Sequence, residues 1–143
     1  MYIIEQKLKY LNHIGRLSET KNFIQHGDVS VYEHCLNVAY MSVRIALFLH
    51  LKVNMDTLIT GALLHDYFLY DWHDGNKAHR LHGFTHPQRA LKNAMQDYSI
   101  SPEVKNVIVR HMFPLTFIPP TNREAWIVCL ADKICAIKET FNK

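Results

Sequence analysis

The stretch Gly61–Trp72, GALLHDYFLYDW, constrains this chain more than any other. With Ile59, Ala62, Leu63 and Phe68 it continues a helical pattern that is apolar on most sides. A helix of that kind has to sit at the centre of a fold, with other elements covering all its faces. Yet it contains His65 and Asp66 side by side. A carboxylate in a core is penalised by several kcal/mol unless something compensates its charge. Whatever packs around this helix must therefore also answer Asp66.

The rest of the pattern supplies helices to do so. An amphipathic segment covers about Ile3–Leu11, and a short helical piece spans Ser18–Gln25. His26-Gly27-Asp28 is a break, and Ser30 caps a helix over Val31–His50. On that helix Val31, His34, Val38, Met41, Ile45 and Phe48 share the apolar face. Asn54 or Asp56 starts the central helix, which is expected to reach about Leu69. Residues 70–85 are polar and rich in His, and read as a loop. Pro87 fits the first turn of a helix reaching Ser99. Ser101-Pro102-Glu103 opens one reaching Met112. Pro114, Pro119 and Pro120 force a loop, and Asn122 caps a last helix with Trp126, Val128, Leu130, Ile134 and Ile137 on its apolar face. No convincing period-two segment is present. The expectation is an all-α, compact single-domain bundle of about five main helices. Residues 1–25 form an N-terminal helical extension packed on a domain of residues 26–143.

Composition narrows the class. The 143 residues are 48% hydrophobic, which suits one core and argues against disorder. The net charge of +3 comes from scattered Lys and Arg, so a nucleic-acid polymer is not an expected partner. No apolar run approaches the ~18 residues of a membrane span, and the charged N-terminus does not read as a signal peptide. Cys35, Cys129 and Cys135 give an odd count without CxxC spacing, which reads as reduced core thiols of a cytoplasmic protein.

Ten histidines are many for this length. His34 lies on an apolar face, His65 and Asp66 in the buried helix, His86 before the next helix and His111 at the end of the one after. Asp132 lies within CLADKICA of the last helix. One arrangement removes every burial penalty at once: these six residues converge on metal. Four imidazoles and two carboxylates suit iron, manganese, zinc, cobalt or nickel and disfavour copper(I). His34, His65 and Asp132 complete one site, and His86 and His111 a second. Asp66 bridges them, since helix neighbours diverge by about 100° and a carboxylate has two oxygens. The plainer alternative is a bundle with buried His–Asp hydrogen bonds and no metal.

His34, His65-Asp66 and Asp132, in this order on helices, resemble the HD-domain superfamily of metal-dependent phosphohydrolases over roughly residues 26–140. The additional His86 and His111 resemble its dinuclear branches. Those include the HD-GYP cyclic dinucleotide phosphodiesterases, the symmetrical diadenosine tetraphosphate hydrolases and the mixed-valence diiron oxygenases. Leu69 stands where the HD-GYP type usually has Lys, and HDYFLY departs from the HDxxED of guanosine tetraphosphate hydrolases. HGFTHP, LLHDYFLYDW and RHMFPL are similar to small bacterial HD-domain proteins, and the compact size to the diadenosine tetraphosphate hydrolase type.

The resemblance implies two divalent transition metals, iron or manganese foremost, about 3.5–4 Å apart with a bridging hydroxide that attacks phosphorus in line. Asp66 is then the catalytic bridging residue, and the substrate is a phosphorylated, nucleotide-like small molecule. His82, Arg89 and Lys133 are candidate phosphate contacts, whereas His79 and Arg80 read as exposed loop residues. Tyr70 and Trp72 could line a base-binding wall, and Tyr67 reads as core. Two rivals remain. The same ligands serve diiron oxygenases, although NFIQHGDVS before His34 lacks the Tyr and Glu of the phosphonate-oxidising members. A non-catalytic metal- or nucleotide-binding module is the other. Oligomeric state is left open.

Overall fold

The structure is a computed structural model that describes residues 2–26, 28–67 and 82–141, with the backbone alone described at 24–26 and 82–86. Six α-helices account for most of it: α1 (Tyr2–Ile14), α2 (Val31–Phe48), α3 (Met55–Leu64), α4 (His82–Asp97), α5 (Pro102–Arg110) and α6 (Arg123–Phe141). A 3₁₀ helix at Leu17–Asn22 and a two-stranded antiparallel hairpin, β1 (Ile24–His26) with β2 (Val29–Ser30), join α1 to α2. The architecture is all-α. The hairpin is a departure from the sequence reading, which placed helix up to Gln25; strands this short leave no periodic signal to read.

Helix starts follow local capping chemistry. Ser30 Oγ accepts Glu33 N–H at 3.1 Å, and Asn54 Oδ1 accepts Thr57 N–H at 3.1 Å. Ser101 Oγ accepts Val104 N–H at 3.2 Å, and Asn122 Oδ1 accepts Ala125 N–H at 2.7 Å. Each satisfies a donor that the first helical turn leaves unpaired. Helix ends depart more from expectation. α2 stops at Phe48 because His50 takes the left-handed conformation (φ 53°), and Leu51 N–H closes back on Ala46 O at 2.9 Å. α3 ends at Leu64, five residues before the expected end. α4 begins at His82 and runs through Pro87, losing only the N–H that would bond the Gly83 carbonyl. Of the loop expected at residues 70–85, residues 82–85 are helical and residues 70–81 lie outside the described residues.

α3 is central. It packs on α1, α2, α5 and α6, while α2 also packs on α6 and α5 on α6. Leu58, Ile59, Ala62, Leu63 and Leu64 of α3 share one core with Val38, Ala39 and Val43 of α2, Val107 and Ile108 of α5, and Val128 and Ala131 of α6. Ile4 and Leu11 of α1 belong to that same core. A fully buried aliphatic side chain contributes about 1.5–3 kcal/mol. Gly61 sets the α3–α5 distance: a Cβ there would lie 2.6 Å from Val107 Cγ1. The faces of two helices need correction. Phe48 is exposed, and so are Trp126, Leu130 and Ile137; α6 turns Ala125, Val128, Cys129, Asp132 and Cys135 inward instead. Among the described residues no helix is long and apolar enough to cross a membrane.

Candidate metal centre

His65 and Asp66 are not in mid-helix. They form the turn that ends α3, with Tyr67 N–H bonded to Leu64 O at 3.1 Å. A helix end leaves its last carbonyls without partners, and the ring of His65 takes one of them: Nδ1–H donates to Ala62 O at 2.6 Å. α5 ends by the same device. His111 follows Arg110 as its cap, and Nδ1–H donates to Ile108 O at 2.7 Å. In each ring the carbonyl can only accept, so the proton sits on Nδ1 and Nε2 is turned the other way. The third imidazole, His34 in the first turns of α2, has Nδ1 against Glu139 Oε1 of α6 at 2.7 Å.

The three Nε2 atoms meet two carboxylates. His34 Nε2 is 2.8 Å from Asp132 Oδ1 and 3.5 Å from Asp66 Oδ2. His65 Nε2 is 3.2 Å from Asp132 Oδ1 and 3.3 Å from Asp66 Oδ2. His111 Nε2 is 3.2 Å from Asp66 Oδ1. Asp66 therefore turns one oxygen toward the His34–His65–Asp132 side and the other toward His111. All five side chains are buried. His65 lies between the other two rings, edge-on to His111 with centroids 4.7 Å apart and 5.3 Å from His34.

Electrostatics make positive charge obligatory here. Burial alone would lower the pKa of His34, but the bonds to Asp132 and Glu139 outweigh it and push the pKa up to about 10. His65 is likewise raised well above its ordinary value against the effect of burial, chiefly by the charge of Asp66. Burial would raise Asp132, yet the hydrogen bonds from His34 and His65 hold it far below the usual carboxylate range. Protons supply the positive charge when nothing else does, and a metal cation must displace them. The residues fit such an ion. One ligand atom from each of His34, His65, Asp66 and Asp132 lies within 4.8 Å of all the others. His34, His65 and His111 each have the second ring nitrogen anchored, as metal-ligating histidines do. No thiol joins the set: Cys35, Cys129 and Cys135 are buried and free, and burial pushes the Cys135 pKa up to about 11.

Of the remaining expected site residues, His82 and His86 lie on α4, their side chains outside the described part. Arg89 lies on α4 and is half-buried. Lys133 Nζ donates to His111 O and to Cys129 Sγ, both at 3.2 Å, so its ammonium is engaged within the bundle. Tyr67 is fully buried, while Tyr70, Trp72, His79 and Arg80 lie outside the described residues.

Sequence reasoning missed the support of the cluster. Glu139, whose side chain is 6% exposed, bonds His34 and also accepts from Asn37 Nδ2 at 3.2 Å. It stands two helical turns after Asp132 and two residues before the end of the described helix, and that seven-residue spacing was the available signal. The residue after Asp66 is fixed as well. Tyr67 O–H donates to Asp97 Oδ2, its oxygen accepts Arg16 N–H at 2.8 Å, and Asn93 Nδ2 donates to Tyr67 O at 3.0 Å. Arg16 Nε completes the network on Asp97 Oδ2 at 2.8 Å.

A helical bundle with a buried His/Asp cluster on α2, α6 and the ends of α3 and α5 defines a class: an all-α domain able to hold a divalent metal. Residues 31–137 match the family model of the HD domain. The chain belongs to the HD-domain family, a superfamily of metal-dependent phosphohydrolases. Comparisons with curated proteins and with solved structures found no match.

Proposed function

We propose that this protein is a metal-dependent phosphohydrolase that cleaves a phosphate ester or anhydride of a nucleotide-like small molecule. The observation that carries the reading is the split orientation of Asp66. Its Oδ2 faces His34 and His65, and its Oδ1 faces His111. In this reading His34, His65, Asp66 and Asp132 hold one divalent ion, and Asp66, His86 and His111 a second, iron or manganese foremost. Bound ions of this kind supply Lewis acidity and lower the pKa of water at the site.

The chain's own groups do the rest. Asp66 fixes the separation of the two halves of the site. Ala62, Ile108 and Glu139 hold the three imidazoles with Nε2 inward. The surrounding helices keep the carboxylates dry, which strengthens every charge interaction in the centre. His82 and Arg89 of α4 meet the substrate phosphate. Lys133 would join them only on releasing the His111 carbonyl. The diiron oxygenase reading shares the ligands and differs in its substrate.

The test is turnover by the metal-loaded protein of a phosphomonoester, a phosphodiester and a dinucleoside polyphosphate, beside Asp66→Ala. Hydrolysis by the wild type and a loss of at least a hundredfold in the variant are expected. Absence of turnover across the panel, or oxygen uptake with an organophosphonate, would contradict the proposal.

A further inference from the structure

α6 is apolar on two opposite sides. The inner side carries Asp132 and small core residues, and the outer side carries Trp126, Leu130, Ile137 and Phe141, exposed at 48, 49, 60 and 79%. At about 100° per residue, these four fall within an arc of about 60° and run some 20 Å along the helix. Their order is palindromic. Trp126 and Phe141 are equally distant from the midpoint between Lys133 and Ile134, and so are Leu130 and Ile137. Lys133 lies about 20° from Trp126, at the edge of this arc, but its ammonium is drawn off to His111 O and Cys129 Sγ. Beside the Trp126 end lies an apolar groove of about 450 Å³, walled by Leu49, Phe113 and Pro114.

We propose that this face pairs with the same face of a second copy of the chain. The two α6 helices run antiparallel about a two-fold axis near residues 133 and 134. Trp126 packs on the partner's Phe141, and Leu130 on the partner's Ile137. An isologous interface requires that residue i meet j while j meets i, and the palindrome meets that condition along the whole helix. The stripe has the extent a dimer needs. Aromatic side chains carry about 150–250 Å² each. With Leu49, 53% exposed at the groove, the face lies at the upper end of the few hundred Å² a monomer commonly leaves apolar, and doubled across a two-fold axis it reaches the ~1,000 Å² total of a specific interface. Asp132 and Glu139 lie on the other side of α6, so pairing leaves the metal centre uncovered.

Sedimentation equilibrium of the full chain over a dilution series tests this. The wild type is expected at twice the 16.7 kDa chain mass, and Leu130→Glu with Ile137→Glu at the single mass with an unchanged helical circular dichroism spectrum. Orientation is read by oxidative cross-linking. A mixture of Leu130→Cys and Ile137→Cys chains should yield the mixed dimer in large excess over either like pair. A monomeric wild type would leave the stripe to a different partner and overturn the proposal. A dimer that survives the double substitution, or like pairs cross-linking as well as the mixed one, would overturn it too.

Discussion

Three imidazoles present the same edge to the cluster, but their acceptors differ in kind. His65 and His111 lean on the backbone carbonyls of Ala62 and Ile108, whereas His34 leans on a carboxylate, Glu139. A carboxylate behind an imidazole makes it a more basic and better oriented ligand. Glu139→Gln keeps the shape and an acceptor oxygen but removes the charge. It should weaken metal binding by about 10–100-fold, or about 1.4–2.7 kcal/mol, in competition with a chromophoric chelator. Unchanged affinity would show that Glu139 serves packing alone. The buried His and Asp residues of the cluster were legible because a His or Asp on an apolar face is an anomaly that calls for an answer. Glu139 was not, because a Glu near the end of a helix reads as a solvated charge. Its burial comes from His34 and Asn37, more than a hundred positions away in the chain.

At the scale of elements, the centre depends on how closely α3 and α5 approach, since His65 and His111 cap their ends. Gly61 permits that approach. Gly61→Ala improves helix propensity by about 1 kcal/mol but drives a methyl group into Val107. Net destabilisation of about 1–3 kcal/mol is expected, read as a lower urea midpoint, with partial recovery in Gly61→Ala/Val107→Ala. The chain beyond Asp66 is tied by Tyr67 and Arg16 to Asp97. Burial opposes ionisation of Asp97, but the bonds from Arg16 and Tyr67 hold its pKa below the usual value. A depressed carboxylate pKa contributes stability above about pH 4, lost as pH falls through the folded value. The wild type should therefore exceed Asp97→Asn in urea midpoint at neutral pH, on the order of 1 kcal/mol, and converge with it in acid. A gap that persists in acid would rule out the ionic contribution. The starts of α2, α3, α5 and α6 were readable from sequence because Ser30, Asn54, Ser101 and Asn122 act within three residues, whereas that of α4, expected at Pro87, lies at His82. The end of α3 was not readable, because at His65 a side chain replaces the next backbone donor. Trp126, Leu130 and Ile137, expected on the inward apolar face of α6, are exposed, because the smaller Ala125, Ala131 and Cys135 are the residues that let α6 come close to its neighbours.

At the scale of the molecule, the bundle encloses a set of charges that hydrophobic packing alone does not explain. His34 and Asp132 meet across 98 positions of sequence. Such a convergence is visible in sequence only as a shared energetic problem, since no local pattern encodes it. The all-α class was legible from periodicity and HD-family membership from the order of His34, His65-Asp66 and Asp132. A division of the centre into two metal sites is an inference from the two oxygens of one aspartate. Elemental analysis of the purified, metal-reconstituted protein tests that inference most directly. About two transition-metal atoms per chain are expected, falling to one or none in Asp66→Ala. No bound metal in the wild type, or one atom per chain that Asp66→Ala retains, would contradict it.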